Sequence, residues 1–246
     1  MTVPTRRERL RTATVAEIKQ AARRLLVDGG IEAVSLRAIA RDMGMTAPAI
    51  YRYFPSLEAL VVDLAGDLYD ELRTAVEAAR DSAGPDPAAQ LLAMARGFRR
   101  WALEHRAEFG LAFGPPVPGM AEFMARCVDE NHPGARLGAT FIAPLQTLAE
   151  SGTLRYPPPE TVGQGFTEQL GPLRQRVVAA DLPAELAYVF LACWTRLYGL
   201  VAMEVFNHLD WALTEPVALF DRELAGMVRD LAAPPVHPPV APTQPG

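Results

Sequence analysis

Gly44 divides the segment Ser35–Leu57 into two short stretches with the period of a helix, and this restricts the local fold more than any other part of the chain. Ahead of it, Leu36, Ile39, Ala40 and Met43 recur at i, i+3, i+4 and i+7 as one apolar stripe, with Ser35 placed to cap the helix start. Glycine closes such a helix because it has no Cβ to penalise the left-handed conformation. Beyond it, Thr46 is placed to cap a second helix, and Pro48 falls in the first turn, where a missing N–H costs little. Ile50 and Phe54, four apart, face the core. Two short helices joined by a glycine turn form a helix-turn-helix. Thr46, Ala47, Pro48, Ala49, Tyr51, Arg52 and Tyr53 are then left near or on the outer side.

Those residue types suit a DNA groove. A hydroxyl, a pyrrolidine ring and two methyl groups at a helix start can touch base edges and thymine methyls, while tyrosine hydroxyls and a guanidinium reach phosphate oxygens. An ordinary helical hairpin with a solvated face would carry the same pattern. Charge favours the first reading. Residues 1–55 hold ten cations (Arg6, Arg7, Arg9, Arg11, Lys19, Arg23, Arg24, Arg37, Arg41 and Arg52) against five acids (Glu8, Glu17, Asp28, Glu32 and Asp42). Of the chain's 24 cations and 29 acids, this leaves 14 and 24 for residues 56–246, so net +5 is followed by net −10. Such asymmetry is expected when only one domain docks on phosphate. Residues 1–12 read either as a basic arm that follows the DNA backbone or minor groove, or as a solvated tail.

From Thr14 to Leu64 the chain resembles the N-terminal domain of the TetR family of transcriptional regulators. The resemblance rests on the first helix ending in Asp28-Gly29-Gly30, the run Leu36-Arg37-Ala38-Ile39-Ala40, and Ala49-Ile50-Tyr51-Arg52-Tyr53-Phe54 followed by Ser56, Glu58 and Leu60. It implies operator contacts from Arg37, Thr46, Ala47, Pro48, Ala49, Tyr51 and Tyr53, with Arg52 beside them. Where many members carry Lys just after the motif, this chain has Leu57. The run Trp194-Thr195-Arg196-Leu197-Tyr198-Gly199 resembles the Trp-His-Gly segment of one C-terminal subfamily, with Tyr198 in place of the His.

The expected fold is all-α: a three-helix N-terminal helix-turn-helix domain over residues 13–57 and a larger helical regulatory and dimerisation domain over residues 58–232. Ser56 caps a connecting helix to about Arg80, and a second helix runs from Pro87 to about His105. Shorter helices are expected at 106–113, 120–130, 135–151 and 167–180, with a loop at 156–165. Two apolar helices, 183–207 and 215–231, can pair with their copies in a second subunit as an isologous four-helix bundle, or form an internal core. The Pro-rich residues 233–246 are expected to stay disordered. Cys127 and Cys193 suggest no disulfide framework. No apolar run near 18 residues is free of charge and no leader pattern is present, so no membrane partner is expected and the compartment is the cytoplasm.

The function these features imply is a regulator, expected to repress, that binds a near-palindromic double-stranded operator as a homodimer. The resemblance implies release by a small molecule. Phe98, Trp101, Phe109, Phe113, Met120, Phe123, Met124 and Phe141, with Tyr156, offer a wall suited to an apolar or aromatic ligand, or are simple core. A scaffold that kept the motif without operator binding is one alternative. An all-helical enzyme is another, with Glu104-His105-x-x-Glu108 and Asp129-Glu130-Asn131-His132 as its candidates. Neither has a second His at ligand spacing, and no phosphate loop or nucleophile elbow appears. No enzymatic activity, metal or cofactor is therefore expected.

Overall fold

The computed structural model describes residues 5–154, 163–171, 173 and 182–232, and every regular element among them is helical. The chain runs through α1 (Arg6–Gly29), α2 (Leu36–Asp42), α3 (Ala47–Ile50), α4 (Leu57–Ser82), α5 (Pro87–Glu104), α6 (Arg106–Phe113), α7 (Met120–Ala125), α8 (Pro133–Glu150), α9 (Gln164–Gln169), α10 (Ala184–Val205) and α11 (Val217–Ala232). Single 3-10 turns follow α1 and α7. Tyr156, the far end of the helix expected over 167–180 and the Pro-rich tail lie outside the described residues.

Caps place the helix boundaries. The Ser35 hydroxyl accepts the Ala38 N–H at 3.1 Å, Ser56 accepts Ala59 N–H at 3.2 Å, and the Asp86 carboxylate accepts the amides of Ala88 and Ala89. Gly44 has φ +65°, the left-handed turn that separates α2 from α3. Two local expectations change. Thr46 occupies the N-cap position of α3, but its side chain makes no capping hydrogen bond. The arginines placed ahead of the first helix stand on it, because α1 begins at Arg6. A capping box holds that start: Thr5 Oγ1 accepts the Glu8 N–H, and the Glu8 carboxylate accepts the Thr5 N–H.

The described residues group into two compact units along a different line from residues 13–57 and 58–232. One unit draws on Met1–Ala75 and Phe98–Leu137, the other on Val76–Gly97 and Gly138–Gly246. In the first, Ile18, Ile39, Ile50, Leu60, Phe98 and Phe109 are fully buried. An ion-paired cluster explains why α6 belongs with the helix-turn-helix. Arg23 on α1 donates to Glu108 on α6 at 2.9 Å and to Glu71 on α4 at 2.7 and 3.1 Å. The Trp101 indole N–H donates to the same Glu71 at 3.3 Å. Its hydrogen bonds to Arg23 hold the Glu71 carboxyl below the usual carboxylate range. In the second unit, α10 is 22 residues long and apolar enough to cross a membrane by length and composition. Arg196 interrupts that run and pairs with Asp230 and Glu223 of α11 at 2.8 and 3.3 Å.

Candidate nucleic-acid interface and ligand cavity

Burial sorts the helix-turn-helix as its period requires. Leu36, Ile39, Ala40, Ile50 and Phe54 are inside, which leaves Arg37, Thr46, Pro48, Tyr51 and Arg52 exposed and Ala47, Ala49 and Tyr53 half-exposed. After Ile50 the chain continues in hydrogen-bonded turns, with the amides of Tyr53 and Phe54 both donating to the Ile50 carbonyl, at 2.8 and 3.1 Å. All eight residues expected at DNA are therefore accessible on the α2–α3 hairpin.

Ion pairing sorts the ten N-terminal cations. Lys19 pairs with Asp63 and Asp67, Arg23 with Glu71 and Glu108, and Arg24 with Asp42. Arg6, Arg7, Arg9, Arg11, Arg37, Arg41 and Arg52 are exposed and have no acidic partner among the described residues. Arg11 instead donates to the Arg52 carbonyl at 3.4 Å and lies 5.3 Å from the Tyr53 ring centroid. This contact was not legible in sequence, since it joins positions 41 residues apart.

The aromatic residues expected to form one ligand wall divide between the two units. Phe98, Phe109, Phe113 and Phe123 pack in the first unit around Tyr69, with ring centroids 4.9–6.0 Å apart. The Tyr69 hydroxyl donates to the Ala112 carbonyl at 3.2 Å. Trp101 stacks on His105, Met120 is buried and Met124 is exposed. Of the eight residues, Phe141 alone lines a cavity in the second unit. That space of about 130 Å³ is bordered by α5, α8, α10 and α11, through side chains such as Leu91, Ala95, Phe190, Leu197 and Met227. Phe141 and Trp194 meet there edge to face at 6.0 Å. No charged residue is among its described lining; Thr153, Cys193 and the Trp194 indole are its polar groups. Burial raises the Cys193 thiol to about 11, so it remains protonated near neutrality.

The candidate metal clusters also disperse. No group of three or more potential ligands occurs among the described residues. His105 Nδ1 donates to the Trp101 carbonyl at 2.9 Å with its Nε2 3.5 Å from Glu71 Oε1, and His132 contacts Cys127 Sγ at 3.1 Å.

An accessible recognition helix, unneutralised cations around it and a helical body with an apolar cavity define a helix-turn-helix DNA-binding regulator. Residues 18–64 match the family described as bacterial regulatory proteins, tetR family, and residues 91–227 match the tetracyclin repressor-like C-terminal domain. The chain belongs to the TetR family of transcriptional regulators. It is 31% identical over 219 residues to the HTH-type transcriptional regulator Rv1816 of Mycobacterium tuberculosis, covering 88% of this chain and 92% of that protein. Regulator Mb1846 of Mycobacterium bovis matches to the same extent. Among solved structures, the regulatory protein SCO4313 is similar with a TM-score of 0.66 at 30% identity, over 91% of this chain and 98% of its own. A protein from Rhodococcus sp. RHA1 shares the fold with a TM-score of 0.65 at 19% identity, over 89% and 95%.

Proposed function

We propose that this regulator acts in the cytoplasm as a repressor, binding a near-palindromic operator as a dimer and releasing it when a small apolar molecule enters the α5–α8–α10–α11 cavity. The observation that carries the operator reading is the α2–α3 hairpin. Its eight candidate contact residues are accessible, and Arg37, Arg41 and Arg52 carry charge that no acid among the described residues neutralises. Thr46, Ala47, Pro48 and Ala49 face base edges and thymine methyls, while Arg37, Tyr51, Arg52 and Tyr53 hold phosphates. Two such helices roughly 34 Å apart read a palindrome.

Dimerisation through α10 and α11 is supported by an imbalance within α10: its apolar stretch is only 33% buried inside the chain, and Met203 is 42% exposed. A second copy would cover that surface by the isologous contact a four-helix bundle provides. The cavity's uncharged walls suit a ligand, or a part of one, no larger than about a benzene ring unless the walls move. Such a ligand lowers operator affinity only through different affinity for two spacings of the recognition helices.

A footprint of the protein on its own upstream region tests the reading. The wild type is expected to protect one near-symmetric segment, and the Arg37→Ala/Tyr51→Ala variant, folded by circular dichroism, to protect none. A wild type that protects nothing at moderate salt, or a double variant with an unchanged footprint, overturns it. The second outcome would leave the motif as a scaffold.

A further inference from the structure

We propose that the first two turns of α1 are a second DNA-contacting element, with Arg7 seated on a backbone phosphate beyond the end of α3 and Arg11 positioning Tyr53 beside it. This rests on the operator reading above and concerns residues outside the recognition hairpin.

Helical phase carries the argument. At 100° per residue, Arg7 and Arg11 fall within about 20° of Ile18 on the face of α1 that packs inward, whereas Arg9 lies on the opposite side. Ile18 is fully buried. Toward the helix start, the same face leaves the core and meets the chain that follows α3. There Arg11 donates to the Arg52 carbonyl and lies against the Tyr53 ring. Arg7 stands one turn further, about 6 Å along the axis. It is exposed and has no acidic partner among the described residues. A guanidinium there extends the cationic line from Arg52 past the recognition helix, where duplex phosphates supply the matching negative charge.

The capping box makes this a built element rather than a charged tail. Thr5 and Glu8 satisfy each other's amides, which fixes the turn that carries Arg7, and Glu8, the acid nearest the arginines, is occupied by Thr5. The Thr5→Ala change alters no charge, so it separates ordered presentation from net charge. Arg9 supplies a control of equal charge on the wrong face.

The test is fluorescence anisotropy of the full-length protein on a labelled duplex of its footprinted upstream segment, from about 50 to 200 mM salt. Arg7→Ala is expected to flatten the slope of log affinity against log salt by roughly one unit per subunit, with Arg9→Ala close to wild type. Thr5→Ala should weaken binding several-fold at low salt. Arg11→Ala should weaken binding, and Tyr53→Phe should cost less in that variant than in wild type; equal costs in the two backgrounds would overturn the positioning role of Arg11. Equal slopes for Arg7→Ala and wild type, or equal losses for Arg7→Ala and Arg9→Ala, would overturn the phosphate contact while the operator reading stands. A wild type that fails to bind the duplex removes both.

Discussion

Replacing Arg23 by Met isolates the energetics that join the helix-turn-helix to α6. Glu108 is 5% exposed and its charge is answered by Arg23 Nε at 2.9 Å, so the variant strands a buried carboxylate. Breaking a buried pair in this way costs about 3–5 kcal/mol. Arg23 itself is 31% exposed, and water screens part of the interaction, which places the expected loss near 3 kcal/mol. Glu71 adds little to that figure. It is 39% exposed and keeps the Trp101 N–H at 3.3 Å after Arg23 is gone. For a chain of this length, a loss of that size lowers Tm by roughly 6–12 °C. Differential scanning calorimetry measures it, with equality of calorimetric and van't Hoff enthalpies checking that one transition is followed. The Arg23→Met/Glu108→Met variant replaces both charges with apolar chains of similar reach and should recover at least half the loss, because the desolvated anion is no longer present. A single variant within about 2 °C of wild type would refute the assignment of the cost to Glu108. So would a double variant no more stable than the single one.

Two further outcomes follow from the same structure. Because Glu71 has a folded-state pKa depressed below 4.5, it contributes stability that is present above that value and lost as pH falls through the depressed one. Thermal scans below about pH 4.5 should therefore show a steeper decline for wild type than for Arg23→Met, and parallel curves would count against the Arg23–Glu71 bond. In the cavity, Ala95→Phe fills the space next to Phe141 at an overpacking cost of about 1–3 kcal/mol. Fluorescence of a small apolar dye should titrate with wild type and not with a folded Ala95→Phe; equal titration places the binding elsewhere.

Local chemistry carried much of the fold into the sequence. Ser35, Ser56, Asp86 and Gly44 each mark a boundary through an interaction within a few residues, and each boundary lies where they put it. The exposed face of the helix-turn-helix was legible for the same reason, since burying Ile50 and Phe54 on a short helix leaves Thr46, Pro48, Tyr51 and Arg52 outside. Thr5-x-x-Glu8 was a readable capping signal too, and it turns the supposed arm into a helix. The cavity was not readable. Phe98 and Phe141 are alike in type and in helical setting, yet one is packed against Phe109 and Phe113 and the other faces empty space. That difference depends on where four helices spread between Ala88 and Leu231 come to rest, and no local pattern encodes it.

Charge shows how a correct count can still mislead about roles. Net +5 over residues 1–55 treats ten cations alike, but four of the acids that engage them, Asp63, Asp67, Glu71 and Glu108, lie beyond residue 55. Lys19 and Arg23, 16% and 31% exposed, are held by those acids and fasten α1 to α4 and α6. The Arg24–Asp42 pair is different, because both side chains are largely in water at 58% and 42% exposure and such pairs contribute only about 0–1 kcal/mol. A phosphate could compete for Arg24 at little cost, whereas drawing Arg23 onto DNA would strand the buried Glu108 carboxylate in the body of the unit. Burial within the pair, of the cation itself at Lys19 and of the Glu108 partner at Arg23, rather than the number of positive residues, thus divides the basic N-terminal segment into cations that hold the domain in place and cations free to meet the duplex.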